Sequence, residues 1–252
     1  MNKHYGQDFY ATRDAGTSYS AQRLADIISD TFFPTSAVDL GCGVGTILAA
    51  IKKTGCRDIF GVEGPWLDPS TLVIDKNEFQ NFDLSKPLNL TRKFDLATSL
   101  EVGEHLDEKD AETLVSSLCS LSNCIVFSAA IPRQGGVNHV NEQWQSYWAR
   151  KFIARGYFAF DVVRPAIWSD KKVATHYRQN CVAYVASASV SQFPKIASSR
   201  VADINLLDRV HPDLFLAHMN NRSPLDIPYK EMLRYFPKAT LAAASRALSR
   251  IK

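Results

Sequence analysis

Two groups of residues in this chain are spaced for chemistry. The first is Gly41, Gly43 and Gly45, entered through Asp39 and separated by Cys42 and Val44. Alternate glycines leave a backbone bare enough for a ligand to lie directly against it. A helix beginning just behind them turns its unpaired N–H groups toward that ligand. Glu63 falls 20 residues after Gly43, where a carboxylate meets ribose hydroxyls in a nucleotide crevice, and Gly64 follows it. Asp83 is a third acid, suited to an exocyclic amino group. The second group is Glu101, Glu104 and His105, with His139 further on in Gly-Gly-Val-Asn-His. The first three stand at i, i+3 and i+4, one face of the turn if that turn is helical. Two carboxylates and two imidazoles can bind a divalent cation. A histidine alone can serve as a base near neutral pH, with His139 favoured because its loop is glycine-rich. The third reading has these histidines simply packing or hydrogen bonding beside a substrate.

The elements that must position these residues alternate between strand and helix. Leu24, Ile27 and Ile28 give Ala21 to Phe33 the spacing of an amphipathic helix, with Ser20 as N-cap and Pro34 as stop. Strands are expected at 37–40, 58–62, 79–82, 94–99 and 124–130, and helices at 45–54 and 107–121. Asn141 is expected to cap a helix over 142–155. Strands at 157–163 and 181–186, joined by a polar loop, then read as a hairpin. The pattern predicts an α/β, doubly wound, mostly parallel sheet, covered on both faces, that closes with an antiparallel pair. The acids and glycines then gather at one rim, where the strands end. Residues 1–189 form this domain, with an aromatic N-terminal lid (Tyr5, Phe9, Tyr10, Tyr19). Residues 190–252, rich in Ser and Pro, form a short helical C-terminal extension.

Composition narrows the class. Hydrophobic residues at 46% and charged residues at 22% suit a globular chain with a real core. A balance of 29 basic against 26 acidic residues is too mild to call for nucleic acid. The five cysteines contain no C-x-x-C pair and read as reduced core residues. No signal peptide and no apolar run of transmembrane length is visible, so a cytoplasmic location is expected.

A dinucleotide dehydrogenase competes for the glycine motif, but position 46 is Thr where G-x-G-x-x-G needs glycine. Val38-Asp39-Leu40-Gly41-Cys42-Gly43-Val44-Gly45 resembles instead the first motif of the class I S-adenosylmethionine (SAM) dependent methyltransferases. Phe94 to Leu106 resembles that family's fourth-strand motif, and the likeness extends over about residues 20–187. It implies a seven-stranded sheet whose last strand is antiparallel. It also implies that Gly41, Gly43 and Gly45 lie along the methionine part of SAM, with Asp39 and Cys42 also among the cofactor-binding residues. Glu63 and Gly64 would meet the ribose, Asp83 and Leu84 the adenine, and the backbone near Ser99 to Glu101 the methionyl amine.

Glu101, Glu104, His105 and His139 together are similar to the metal site of RNA 3′-terminal 2′-O-methyltransferases and of ubiquinone-pathway O-methyltransferases, which implies Mg²⁺ or Mn²⁺. Catalysis is expected from His139, His105 and Glu101, by in-line transfer to a hydroxyl of a small molecule or saccharide. RNA is the alternative acceptor, and a catalytically silent SAM-binding protein the alternative outside enzymes. Tyr5, Tyr10, Tyr19, Arg133, Gln134, Trp144, Trp148, Trp168, His176 and Tyr177 are candidates for the acceptor side. The i, i+4 spacing of Trp144 and Trp148 also reads as a core stripe.

Overall fold

The computed structural model describes residues 14–220. Tyr5, Phe9, Tyr10 and the basic stretch 226–252 lie outside the described residues. Helix α1 (Asp14–Phe32) leads into β1 (Ser36–Leu40), α2 (Thr46–Lys53), β2 (Asp58–Glu63), β3 (Phe79–Asn81) and β4 (Leu96–Leu100). Then follow α3 (Ala111–Leu121), β5 (Cys124–Ser128), α4 (Gln145–Ile153), β6 (Tyr157–Phe160), α5 (Val163–Ile167), α6 (Thr175–Asn180), β7 (Val182–Ala186) and α7 (Pro212–Asn220). The seven strands form one sheet in the order β3-β2-β1-β4-β5-β7-β6. All pairs are parallel except those of β7, which runs antiparallel to both β5 and β6.

Period-two alternation divides the sheet between two cores. Ala37, Leu96, Leu100, Cys124, Val126, Ala183 and Val185 pack with Leu24, Ile28, Leu48, Ile51, Val163 and Ile167 of α1, α2 and α5. Their strand neighbours Val38, Leu40, Ala97, Ile125, Phe127, Val182 and Tyr184 pack with Leu114, Leu118, Trp148 and Phe152 of α3 and α4. A strand covered on both faces reads as a mainly apolar run, and β5 (Cys-Ile-Val-Phe-Ser) is buried throughout. All five cysteines are free thiols. Among the described residues no helix is long and apolar enough to cross a membrane.

Several elements differ from the sequence reading. Helix α1 starts at Asp14, so Ser20 lies inside it, fully buried, and its hydroxyl accepts the Ala174 N–H at 2.9 Å instead of capping. Helix α4 begins only at Gln145, because Asn141 donates its amide to the Gly103 carbonyl and Glu142 is engaged in the preceding loop. The connection between β6 and β7 is folded into α5 and α6, held by buried Arg164 and Arg178. The chain divides into two compact units, Met1–Leu214 and Phe215–Lys252. The stretch from 190 as far as Leu207 is built into the first unit, with Ile196 and Leu207 fully buried in its two cores.

Candidate active site

The strand order reverses between β1 and β4, so a crevice opens at the carboxyl ends of those two strands, and β2 and β5 end beside it. The glycine turn lies on one side. Gly41, Gly43 and Gly45 have φ of 84, 55 and 90°, a region L side chains rarely adopt. A Cβ on Gly41 would fall 2.2 Å from Cγ2 of Val102, so the residue after Glu101 sits directly on the bare turn. The turn is tied to β2 by Gly41 and Cys42 N–H bonds to the Val62 carbonyl. It is tied again by Glu63, whose Oε2 accepts the Gly43 N–H at 2.8 Å and whose Oε1 accepts the Gly64 N–H at 2.7 Å. Burial raises the Glu63 carboxyl above its ordinary range, and the two N–H bonds oppose that shift.

Asp39 is 2% exposed and accepts the Thr98 hydroxyl at 2.7 Å across the β1–β4 pair. Burial, with the nearby Glu63 charge adding to it, pushes its carboxyl up to about 6 against the pull of Thr98. Asp83 is less covered. Ser85 donates to it from hydroxyl and backbone, which holds its carboxyl below the ordinary range. Three other expected contacts have their side chains turned elsewhere, leaving only backbone for a ligand. Ser99 donates its hydroxyl to the Leu40 carbonyl, Cys42 packs toward Gly61, and Leu84 is buried in the α3–α4 core.

The acceptor side follows β4 and β5. Glu101 adopts φ 58°, so the chain leaves β4 by a left-handed residue and not by a helical turn. The expected helical face of Glu101, Glu104 and His105 does not form, although the Glu101 and Glu104 carboxyls still come within hydrogen-bonding reach of each other. The Glu101 carboxylate accepts the Asn180 amide at 3.0 Å and the Gln134 amide at 3.2 Å. Glu104 and His105 lie in the short turn Gly103–His105, beneath which Trp148 packs so closely that a Cβ on Gly103 would meet its ring at 2.7 Å. His139 is brought alongside by the loop after β5, its ring 5.0 Å from that of His105 and nearly perpendicular to it. Glu104, His105 and His139 offer ligand atoms that all lie within 4.8 Å of one another; Glu101 is outside that group. Glu104 is 1% exposed, its Oε2 has no hydrogen-bond partner, and burial followed by the Glu101 charge raises its carboxyl well above the ordinary range. An unpaired buried carboxylate oxygen facing two imidazoles fits a cation.

A family model described as a methyltransferase domain matches residues 17–159, more than half of the 252-residue chain. The chain belongs to the class I SAM-dependent methyltransferases. No curated protein matches it. In fold the methyltransferase is similar to SAM-bound CalS10, an amino pentose methyltransferase from Micromonospora echinaspora. The TM-score is 0.52 at 15% identity, covering 74% of this chain and 100% of that one. It is also similar to DesVI of Streptomyces venezuelae, with TM-score 0.51 and 15% identity, over 71% of this chain and 95% of that one. SAM is the methyl donor of this family, and the residues present suit it. The glycine turn keeps its backbone bare, and each Glu63 oxygen, having taken one N–H, retains a lone pair for a ribose hydroxyl.

Among the acceptor-side candidates, Trp148 is a core residue, whereas Trp144, at the N-cap of α4, is 38% exposed. Tyr19 is exposed and donates to Asp170. Trp168 packs at a tilt against His211, which is buried and hydrogen bonded within the fold. Glu142 and Asn180 were not among the residues the sequence singled out. Asn180 gives no local sequence signal, but Glu142 stands three residues after His139, a spacing that could have pointed to it.

Proposed function

We propose that this methyltransferase acts on a hydroxyl group of a small molecule or saccharide. His139 serves as the base, or Glu104, His105 and His139 hold a divalent cation, Mg²⁺ or Mn²⁺. The observation that carries the reading is the convergence of those three side chains, with the Glu104 Oε2 unpartnered, at the end of β4 beside the glycine turn. SAM supplies an electrophilic methyl on a sulfonium. A divalent cation, when bound, lowers the pKa of a coordinated hydroxyl. The chain's own work is alignment and proton removal. Asp39, the glycine turn and Glu63 orient the donor, which makes the displacement an intramolecular event. His139 takes the proton from the attacking oxygen, and its partly covered position lowers competition from water. Val102, lying on Gly41, keeps the acceptor turn in register with the donor turn. An RNA acceptor is disfavoured by the net charge of +3, which offers little neutralisation of phosphates.

The test is SAM-dependent methyl transfer screened against sugars, catechols and RNA, before and after EDTA treatment and with Mg²⁺ or Mn²⁺ restored. Loss on chelation with recovery on re-addition supports the cation, and turnover indifferent to chelation supports His139 alone. Methylation confined to RNA overturns the choice of acceptor.

A further inference from the structure

The loop from Arg133 to Glu142 is held by one carboxylate. Glu142 Oε2 accepts the Arg133 N–H at 2.7 Å, and Oε1 accepts the Gly135 N–H at 2.7 Å. Arg133 and Asn138 have positive φ (69 and 58°), a costly conformation for residues with a Cβ, and the Glu142 bonds help to fix this path. The same Oε1 lies 3.0 Å from Nδ1 of His139. Both carboxylate oxygens already act as acceptors, so the proton of the pair belongs on Nδ1. Nε2 is then the nitrogen left to take a proton or ligate a cation. Gly136 lies against that side of the ring, and only a residue without a Cβ lets the imidazole sit there, because a Cβ would overlap Nε2 and Cε1. His105 is oriented in parallel fashion, with Nδ1 3.3 Å from the Asn138 carbonyl of the same loop.

We infer that Glu142 is a positioning residue: it fixes both the tautomer and the place of His139, and through the loop it sets the carbonyl that orients His105. The catalytic part of this inference rests on the reading of His139 as base or ligand. An unpinned imidazole divides between two tautomers and several orientations, and only one of these presents Nε2 to the acceptor.

The test begins with the full chain carrying ¹⁵N-histidine, studied by long-range ¹H–¹⁵N correlation at roughly pH 8, where an ordinary histidine is neutral. The His139 signals are identified by their loss in His139→Gln. The expected spectrum has a protonated Nδ1 and a bare Nε2; an Nε2–H form, or a free-imidazole mixture, overturns the inference. Glu142→Gln cannot satisfy the two N–H groups and Nδ1 together. It is expected to lose the fixed tautomer and lower kcat by about 10- to 100-fold, with KM for SAM unchanged. On a His139→Ala background the same change should cost much less than in the wild type, keeping only the part that acts through His105. A second drop of similar size there means Glu142 is only a loop staple and overturns the positioning role. If His139→Ala leaves turnover intact, the proposed base or ligand fails, while the spectrum still decides whether Glu142 sets the tautomer.

Discussion

Replacing Asp39 by Asn tests whether a buried charge has been retained at the donor site at the expense of stability. Asp39 is almost fully buried, and its carboxylate accepts the Thr98 hydroxyl. Asn keeps an acceptor Oδ1 for that hydroxyl and removes only the charge. The folded carboxyl is raised from 3.8 to about 6. A carboxyl raised on folding stabilises the native state fully below its unfolded pKa, and that contribution disappears as pH climbs through the folded value. The gap of about 2 units, at 1.36 kcal/mol each, gives about 3 kcal/mol lost between roughly pH 4 and pH 7. Asp39→Asn should therefore match the wild type near pH 4 and exceed it by up to about 3 kcal/mol at pH 7.5. That corresponds to a Tm higher by about 6–12 °C for a chain of this size. Urea unfolding without SAM at several pH values reads the curve. SAM titration of the same variant should show affinity weakened about tenfold or more, the scale of a hydrogen bond to a charged group. A stability gain that stays flat with pH, or unchanged SAM affinity, refutes the reasoning.

Gly41→Ala should destabilise by about 2–4 kcal/mol. The left-handed φ contributes about 1–2 kcal/mol and overlap with Val102 the remainder. Val102→Ala in the same chain should recover the overlap part in thermal unfolding, but not the φ part. His139→Ala should lower kcat by about 10²-fold or more and leave calorimetric SAM affinity unchanged. Equal losses in both would mark His139 as structural.

The gathering of the glycine turn and Glu63 at one rim of the sheet was legible in the sequence because its signals are local. Gly41 to Gly45 requires positive φ, and Glu63 follows from the length of one β-α-β unit. The sheet order and the antiparallel final strand agree with the resemblance for the same reason, since alternation of type sets the topology. The acceptor half was less legible because long-range partners decide it. Helical spacing grouped Glu101 with Glu104 and His105, but the left-handed Glu101 turns its carboxylate to Asn180, 79 residues away. Asn141 and Glu142 carry good helix-start chemistry, yet Asn141 is used on the Gly103 carbonyl of the turn after β4 and Glu142 on backbone N–H groups of its own loop, and α4 starts three residues later than expected from Glu142. Ser20 was misread likewise, because nothing near it in sequence announces the Ala174 N–H it accepts.

The place of β7 bears on how the chain can be made. It is the last strand of the sheet to leave the ribosome, yet it inserts between β5 and β6, and among the described residues the other edge of β6 meets only the still later segment 199–201. Until Ala186 has been synthesised, β6 has no strand to join, and β5 presents its Cys-Ile-Val-Phe edge unpaired. An open apolar edge of that kind templates association with other chains. The interval between translation of Ser128 and of Ala186 is therefore the period in which the nascent protein is most exposed to misassembly. Ribosome-bound chains ending near residue 160 should recruit chaperones more strongly than chains that extend beyond β7.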